Sequence, residues 1–197
     1  MEASNESLWE FLLSLGTDKV AHTGGDFLHH LRAVETLLNE HSADQEVVKA
    51  GLFHSIYGTQ GFQDFSLPLT ERETIQNLIG TRAEFIAFCN CVMDRDSFDS
   101  EVAQALTGRS EHSIRDRVSD QPIAMNTSQL ADLAQVHLFD WLEQVERSDR
   151  GWDYRRSAYR NMATLVGPDA ETLYEKVFAQ ENTQSVIHRF QQQTPLI

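Results

Sequence analysis

Residues 50–62 read AGLFHSIYGTQGF. Together with Val47 and Val48 before them, Ala50, Gly51, Leu52, Phe53 and Ile56 are apolar on nearly every side of a helix, and a helix of that kind is buried rather than laid on a surface. The run delivers one imidazole, His54, to its end, and the chain then breaks at Gly58 into a loop closed by Pro68. A central buried helix needs others around it, and the rest of the sequence supplies them.

Leu8, Phe11, Leu12 and Leu15 mark a short first helix with Gly16 as its C-terminal stop. Phe27, Leu31, Val34, Leu37 and Leu38 form an apolar stripe at helical spacing after Thr23-Gly24-Gly25. Thr70 with Glu73 has the capping-box pattern before a helix over 72–78, and a further apolar helix is expected from Arg82 to Met93. The cluster Asn126-Thr127-Ser128 is a good N-cap for LADLAQVHLFDWLEQVE at 130–146. A helix over about 153–165 stops at Gly167-Pro168, and Asp169 caps a last one over 171–178. Residues 94–121 are charged and poor in apolar anchors, which predicts a mobile surface excursion. No strand alternation or repeat stands out. The expectation is an all-α fold: one helical domain over residues 1–180 and a polar, Gln-rich tail over 181–197.

A chain of 197 residues with 41% hydrophobic content can bury one good core. No apolar run is long enough to span a bilayer, and the start, MEASNESLWEFLLSLG, lacks the basic flank of a signal peptide. Cys89 and Cys91, two apart on a helix, point about 200° from one another, so they read as core thiols in a reducing compartment. A cytoplasmic location is expected. The formal charge of −14 opposes nucleic-acid and anionic-membrane partners and leaves a small molecule as the expected ligand. An anionic substrate would have to be met by arginines such as Arg82, Arg95, Arg155 and Arg156.

Among the histidines, His41, His112 and His188 lie in polar or terminal surroundings and read as solvated. His29 and His30 diverge by about 100° on one helix, so only one can face the core. His30 shares the stripe of Phe27, Leu31 and Val34, whereas His29 falls beside Arg32. On the late helix, Asp140 lies between Leu138-Phe139 and Trp141-Leu142, three residues after His137; a charge so placed is costly unless it is paired or coordinated. Asp132 is the other candidate carboxylate, and an ion pair of Asp140 with Arg147 or Arg82 is the structural alternative. His22, before the Thr23-Gly24-Gly25 turn, falls at the mouth of any pocket floored by His30 and His54. Three histidines and one carboxylate suit Mn, Fe or Zn.

The pattern His30-x-x-x-Val34, followed by a buried helix ending AGLFHS, resembles the HD-domain superfamily, in which H-x-x-x-V and a later His-Asp pair hold a divalent metal. More narrowly it is similar to the small alarmone hydrolases of the RelA/SpoT-homologue type. TERETIQNLIGTRAEFI at 70–86, LADLAQVHLFDWLEQ at 130–144, and Trp152, Arg156 and Tyr159 carry the likeness, which spans roughly residues 22–166. The resemblance implies an HD-like helical bundle and a metal-dependent hydrolase of a small, phosphorylated metabolite. His22, His30, His54 and Asp140 would be ligands, His54 would stand at the catalytic centre, and Tyr57 and Arg82 would orient the substrate. Two departures stand out. Ser55 replaces the Asp of the His-Asp pair, and IYGT at 56–59 stands where those hydrolases carry an acidic pair that handles water; a neutral Ser is a poor ligand, and Gly58 can take no proton. A non-haem iron oxygenase and a catalytically silent ligand- or partner-binding protein are therefore the other readings.

Overall fold

The structure is a computed structural model, and it describes residues 5–181. It is mainly helical. In chain order it comprises α1 (Asn5–Ser14), a hairpin of β1 (Ala21–His22) and β2 (Gly25–Asp26), α2 (Phe27–Glu40), α3 (Gln45–Leu52), α4 (Arg72–Ile79) and α5 (Thr81–Val92). There follow α6 (Arg95–Ala105), a second hairpin of β3 (Glu111–Arg115) and β4 (Pro122–Asn126), α7 (Thr127–Gln144), α8 (Arg156–Val166) and α9 (Pro168–Phe178). Both hairpins are antiparallel and two-stranded, which corrects the expectation of a chain without strands. No helix among the described residues is long and apolar enough to cross a membrane. The tail expected over 181–197, with His188, lies almost wholly outside the described residues.

The site depends on how α2, α3 and α7 meet. Asp26 caps α2 by accepting the backbone N–H of His29 at 2.8 Å, and this fixes where the helix starts and hence which way His30 turns. Phe27, His30, Leu31, Val34 and Leu38 then form its buried side, and His29 is exposed. Helix α3 comes so close to α2 that the buried Leu38 side chain would have to move to make room for a Cβ on Gly51. Val47, Leu52, Phe53 and Ile56 are buried around it, each large apolar side chain contributing about 1.5–3 kcal/mol by removal from water. Helix α7 packs on α2, α3, α5 and α8. It starts in a true capping box: the Asn126 side chain accepts from Gln129 N–H, and Gln129 Oε1 accepts from Asn126 N–H. The box expected at Thr70 and Glu73 is not formed, because residues 69–71 make a separate tight turn and α4 begins at Arg72 with no side-chain cap.

The segment 94–121 is not the unstructured excursion its charge predicts. Asp94 caps α6 through Ser97 N–H at 2.9 Å, and Phe98, Val102 and Ala105 recur on one buried side. In β3, His112 and Ile114 alternate inward, and Ile114 pairs across to Ile123. The anchors are few, but they fall on the 3.6- and 2-residue periods, and that spacing outweighs bulk composition. His112 is accordingly buried rather than solvated, with Glu101 Oε2 and Thr127 Oγ1 each 3.2 Å from its ring nitrogens.

Candidate metal centre

His30 on α2, His54 in the turn after α3, and Asp140 on α7 bring one ligand atom each within 4.8 Å of one another. The partners of the rings dictate their protonation. His54 Nδ1 stands 2.7 Å from the carbonyl of Gly51, which can only accept, so Nδ1 carries the proton and Nε2 presents a lone pair. His30 Nδ1 lies 2.7 Å from Glu143 Oε2 and is likewise the donor. Its Nε2 is 3.2 Å from His54 Nε2 and 3.1 Å from Asp140 Oδ1, and the latter is 3.4 Å from His54 Nε2. With both rings neutral, three acceptors converge, and a proton on His30 or a cation must lie between them.

Such an arrangement requires positive charge. Burial works against a charged His30, but Asp140 and Glu143 outweigh it and raise the imidazole to about 9. Burial also opposes ionisation of Asp140, and His54 with His30 overcomes it, holding the carboxyl well below the usual carboxylate range. A divalent cation would satisfy the same field. Bonds of about 2.0–2.2 Å from N and O ligands, set about 90–110° apart, separate ligand atoms by about 2.8–3.6 Å. The three observed separations fall within that range, so the spacing of the donors suits a metal ion.

The surroundings have the form that orients metal ligands. Glu143, one turn after Asp140 on α7, holds His30 and is itself gripped by Arg147. Gln144 Nε2 donates to Asp140 Oδ1 at 2.7 Å. The carbonyl of His54 accepts from Asn90 Nδ2 at 2.8 Å and from the thiol of Cys91 at 3.2 Å. Glu143, Gln144 and Asn90 escaped the sequence reading; only Glu143 had a signal there, its i+3 spacing from Asp140.

His22, held by the β1–β2 hairpin, stacks on His30 with ring centroids 4.1 Å apart. Its Nδ1 is buried with no hydrogen-bond partner among the described residues, and burial, then the charge of His30, lowers the imidazole to about 4. His22, Ser55 and Asp140 line one cavity of about 390 Å³, walled by Phe62, Trp141, Tyr154 and Tyr159.

Tyr57 and Arg82, expected to orient a substrate, are not brought to this cluster. The Tyr57 hydroxyl donates to buried Glu84 at 3.1 Å, in a group completed by Arg72 and Gln76, and burial pushes the phenol up. Arg82 is spent at the surface on Asp44, Glu46 and Asp132. That pairing also separates the two candidate carboxylates: Asp132 belongs to Arg82, and Asp140 faces the histidines. Neither Arg82 nor Arg147 pairs with Asp140.

A family model described as "Domain of unknown function (DUF6817)" matches residues 11–95, under half of the chain. The match covers His22, His30 and His54 and ends before Asp140 and Glu143. No curated protein and no solved structure matches the chain.

Proposed function

We propose that this protein is an HD-like helical enzyme that holds one divalent metal ion on His30, His54 and Asp140, with His22 beside it, and hydrolyses a small metabolite in a reducing, cytoplasmic setting. One observation carries the reading. Three acceptor atoms meet at ligand–ligand spacing, and the far nitrogen of each imidazole is already committed to Gly51 or Glu143. When bound, the ion would supply Lewis acidity to a substrate oxygen and an acidic bound water. The chain's own part is geometric: Glu143 fixes the tautomer of His30, Gln144 aims Oδ1 of Asp140, and Phe62, Trp141 and Tyr159 wall the cavity beside them. Ser55, at the position of the second acidic residue in the HD pattern, leaves the donor set at one carboxylate, which favours a mononuclear site.

That donor set favours a second reading as well. Two histidines, one carboxylate and open positions are what a non-haem iron oxygenase uses. The absence of an acidic partner at Ser55 and Gly58 favours a third, a silent protein that keeps the pocket for binding.

Elemental analysis of protein purified without a polyhistidine tag, together with its His54→Ala variant, tests the metal. Near-stoichiometric Mn, Fe or Zn is expected in the wild type and none in the variant, and a wild type free of metal after incubation with all three would sink the reading. Phosphate release from a panel of phosphorylated metabolites separates the hydrolase from the oxygenase, which would instead consume oxygen. Neither signal from the metal-loaded protein leaves the silent reading.

A further inference from the structure

Of the arginines available to meet an anion, Arg82 is bound to Asp44, Glu46 and Asp132, Arg155 to Asp99, and Arg156 to Asp153 and Glu181. Arg95 differs. Among the described residues no carboxylate pairs with it, in a chain of 30 acidic against 16 basic residues. It is half-buried and lines the cavity that holds His22, Ser55 and Asp140.

The guanidinium is nevertheless held firmly. Nη1 donates to the Tyr154 hydroxyl at 2.9 Å, and the backbone N–H of Arg95 donates to Gln60 Oε1 at 3.0 Å. Its plane rests on Gly61, where a Cβ would stand 2.8 Å from Nη2 and 3.0 Å from Nη1. A glycine is needed there for the close approach, not for an unusual backbone angle. Tyr154 is in turn packed on Trp141, the residue after Asp140, at 5.3 Å between centroids. A guanidinium anchored through Nη1 on Tyr154 and backed by Gly61, with Nη2 bonded to nothing among the described residues, is ready to receive an acceptor of opposite charge. Of the other charged residues that line the cavity, Asp64, Asp149 and Arg150 are exposed, so water and salt screen them, and Asp140 is the buried carboxylate of the histidine cluster.

We propose that Arg95, seated on Gly61, is the specificity residue of this cavity and binds an oxyanion group, phosphate or carboxylate, of the small substrate whose reacting end lies towards Asp140 and His22. The assignment rests on the reading of the cavity as the active site of a metal-dependent enzyme, but the anion subsite itself is built from Arg95, Gly61 and Tyr154 and can be assayed without the metal. A charge-assisted hydrogen bond of about 1.5–3 kcal/mol corresponds to about ten- to hundredfold in affinity.

Calorimetric titration of inorganic phosphate and of acetate into the full chain, both Mn²⁺-loaded and metal-stripped, tests it. Phosphate or acetate should bind the wild type, at least about tenfold more weakly the Arg95→Ala variant, and with intermediate strength Arg95→Lys, which keeps the charge and loses the fork. Whichever anion binds more tightly identifies the group. Gly61→Ala should weaken binding less than Arg95→Ala does, because its Cβ pushes the guanidinium out of place but leaves its charge, and it preserves a test if Arg95→Ala does not fold. Equal anion affinity in wild type, Arg95→Ala and Gly61→Ala, or no anion binding by the wild type in either state, overturns the assignment. Arg95-dependent anion binding in a protein that retains no metal overturns the metal reading instead and leaves the subsite standing.

Discussion

Two buried histidine clusters share helix α7 and are closed in opposite ways. Around His137, Arg155 grips Asp99 through Nε at 2.9 Å and through Nη2, and its Nη1 donates to His137 Nε2 at 2.8 Å. His137 Nδ1 donates to Asn90 Oδ1 at 2.9 Å, and Asn90 passes a hydrogen bond on to the carbonyl of His54. Every donor meets an acceptor, and the cluster carries its own cation. Around Asp140, one turn further along the same helix, the residue types are alike but three acceptors face one another and no arginine reaches them. The contrast lies in the source of the positive charge: Arg155 carries it permanently beside His137, whereas beside Asp140 it is a proton taken up by His30 or a bound cation that replaces that proton.

The largest expected effect breaks the self-sufficient cluster. Arg155→Met removes its cation and leaves Asp99 and His137 facing an apolar chain. Removing one partner of a buried pair costs about 3–5 kcal/mol, and the partial exposure of Asp99 reduces this to about 2–4 kcal/mol. Arg155 also holds a left-handed backbone at φ 46°, which the clamp to Asp99 overrides and methionine would leave uncompensated. Denaturant unfolding should show the loss with the metal content unchanged. Loss of metal at full stability would mean that the two clusters are one site.

A smaller effect is expected where the contrast runs the other way. Glu143→Gln keeps the shape beside His30 but removes the carboxylate that fixes its tautomer, so metal affinity should fall about ten- to hundredfold with little change in stability. Competition with a chromogenic chelator measures it, and an unchanged affinity would show that His30 is oriented by packing alone.

The helices other than α6, their main stops and the inward side of α2 were legible in the sequence because each rests on local rules: apolar spacing, glycine after the last turn, and Asp or Asn before the first. His30, His54 and Asp140 could be singled out for the same reason, as polar groups on apolar faces. What local rules could not give is which partner a polar group finds across the fold. Arg82 and Asp132 are fifty residues apart and settle each other's role, and Tyr57 is taken by Glu84, whose burial on α5 no periodicity announced. Residues 94–121 misled for the opposite reason, since a few anchors at 98, 102, 112 and 114 order a segment whose average composition is polar. Asn90 was invisible because it acts through a backbone carbonyl.

Acid should separate the two clusters next. Burial first, then the charges of Arg155 and Arg95, holds His137 well below the ordinary imidazole range, although Asp140 pulls the other way. Folded protein therefore keeps His137 neutral where the unfolded chain takes up a proton, near pH 6.5. The unfolded state binds more protons, so this contribution is fully present above about pH 6.5 and is lost as the pH falls. Between pH 7.5 and 5.5 it amounts to about 1.4 kcal/mol. His22 is shifted in the same direction, so the informative quantity is a difference between proteins. Wild type should lose about 1.4 kcal/mol more over this interval than His137→Gln. Parallel curves for the two proteins would mean that His137 is protonated in the fold and that its cluster, too, draws positive charge from elsewhere.

The smallest effect is expected at Arg82, the residue that sequence reasoning would have placed in the substrate pocket. Its guanidinium is 40% exposed, two of its partners, Asp44 and Glu46, are more exposed still, and only Asp132 is sheltered. Ion pairs in such surroundings contribute about 0–1 kcal/mol, because water and salt screen them and a long side chain must be held still. Burial, only partly offset by Arg82, raises the Asp132 carboxyl, so removing the arginine leaves that group easier to protonate and softens the loss further. Arg82→Ala should therefore unfold within about 1 kcal/mol of wild type, retain its metal, and bind phosphate as wild type does, in contrast to Arg95→Ala. A tenfold loss of phosphate affinity on Arg82→Ala at undiminished stability would transfer the anion-binding role to α5 and undo the distinction between committed and uncommitted arginines on which the assignment of Arg95 rests.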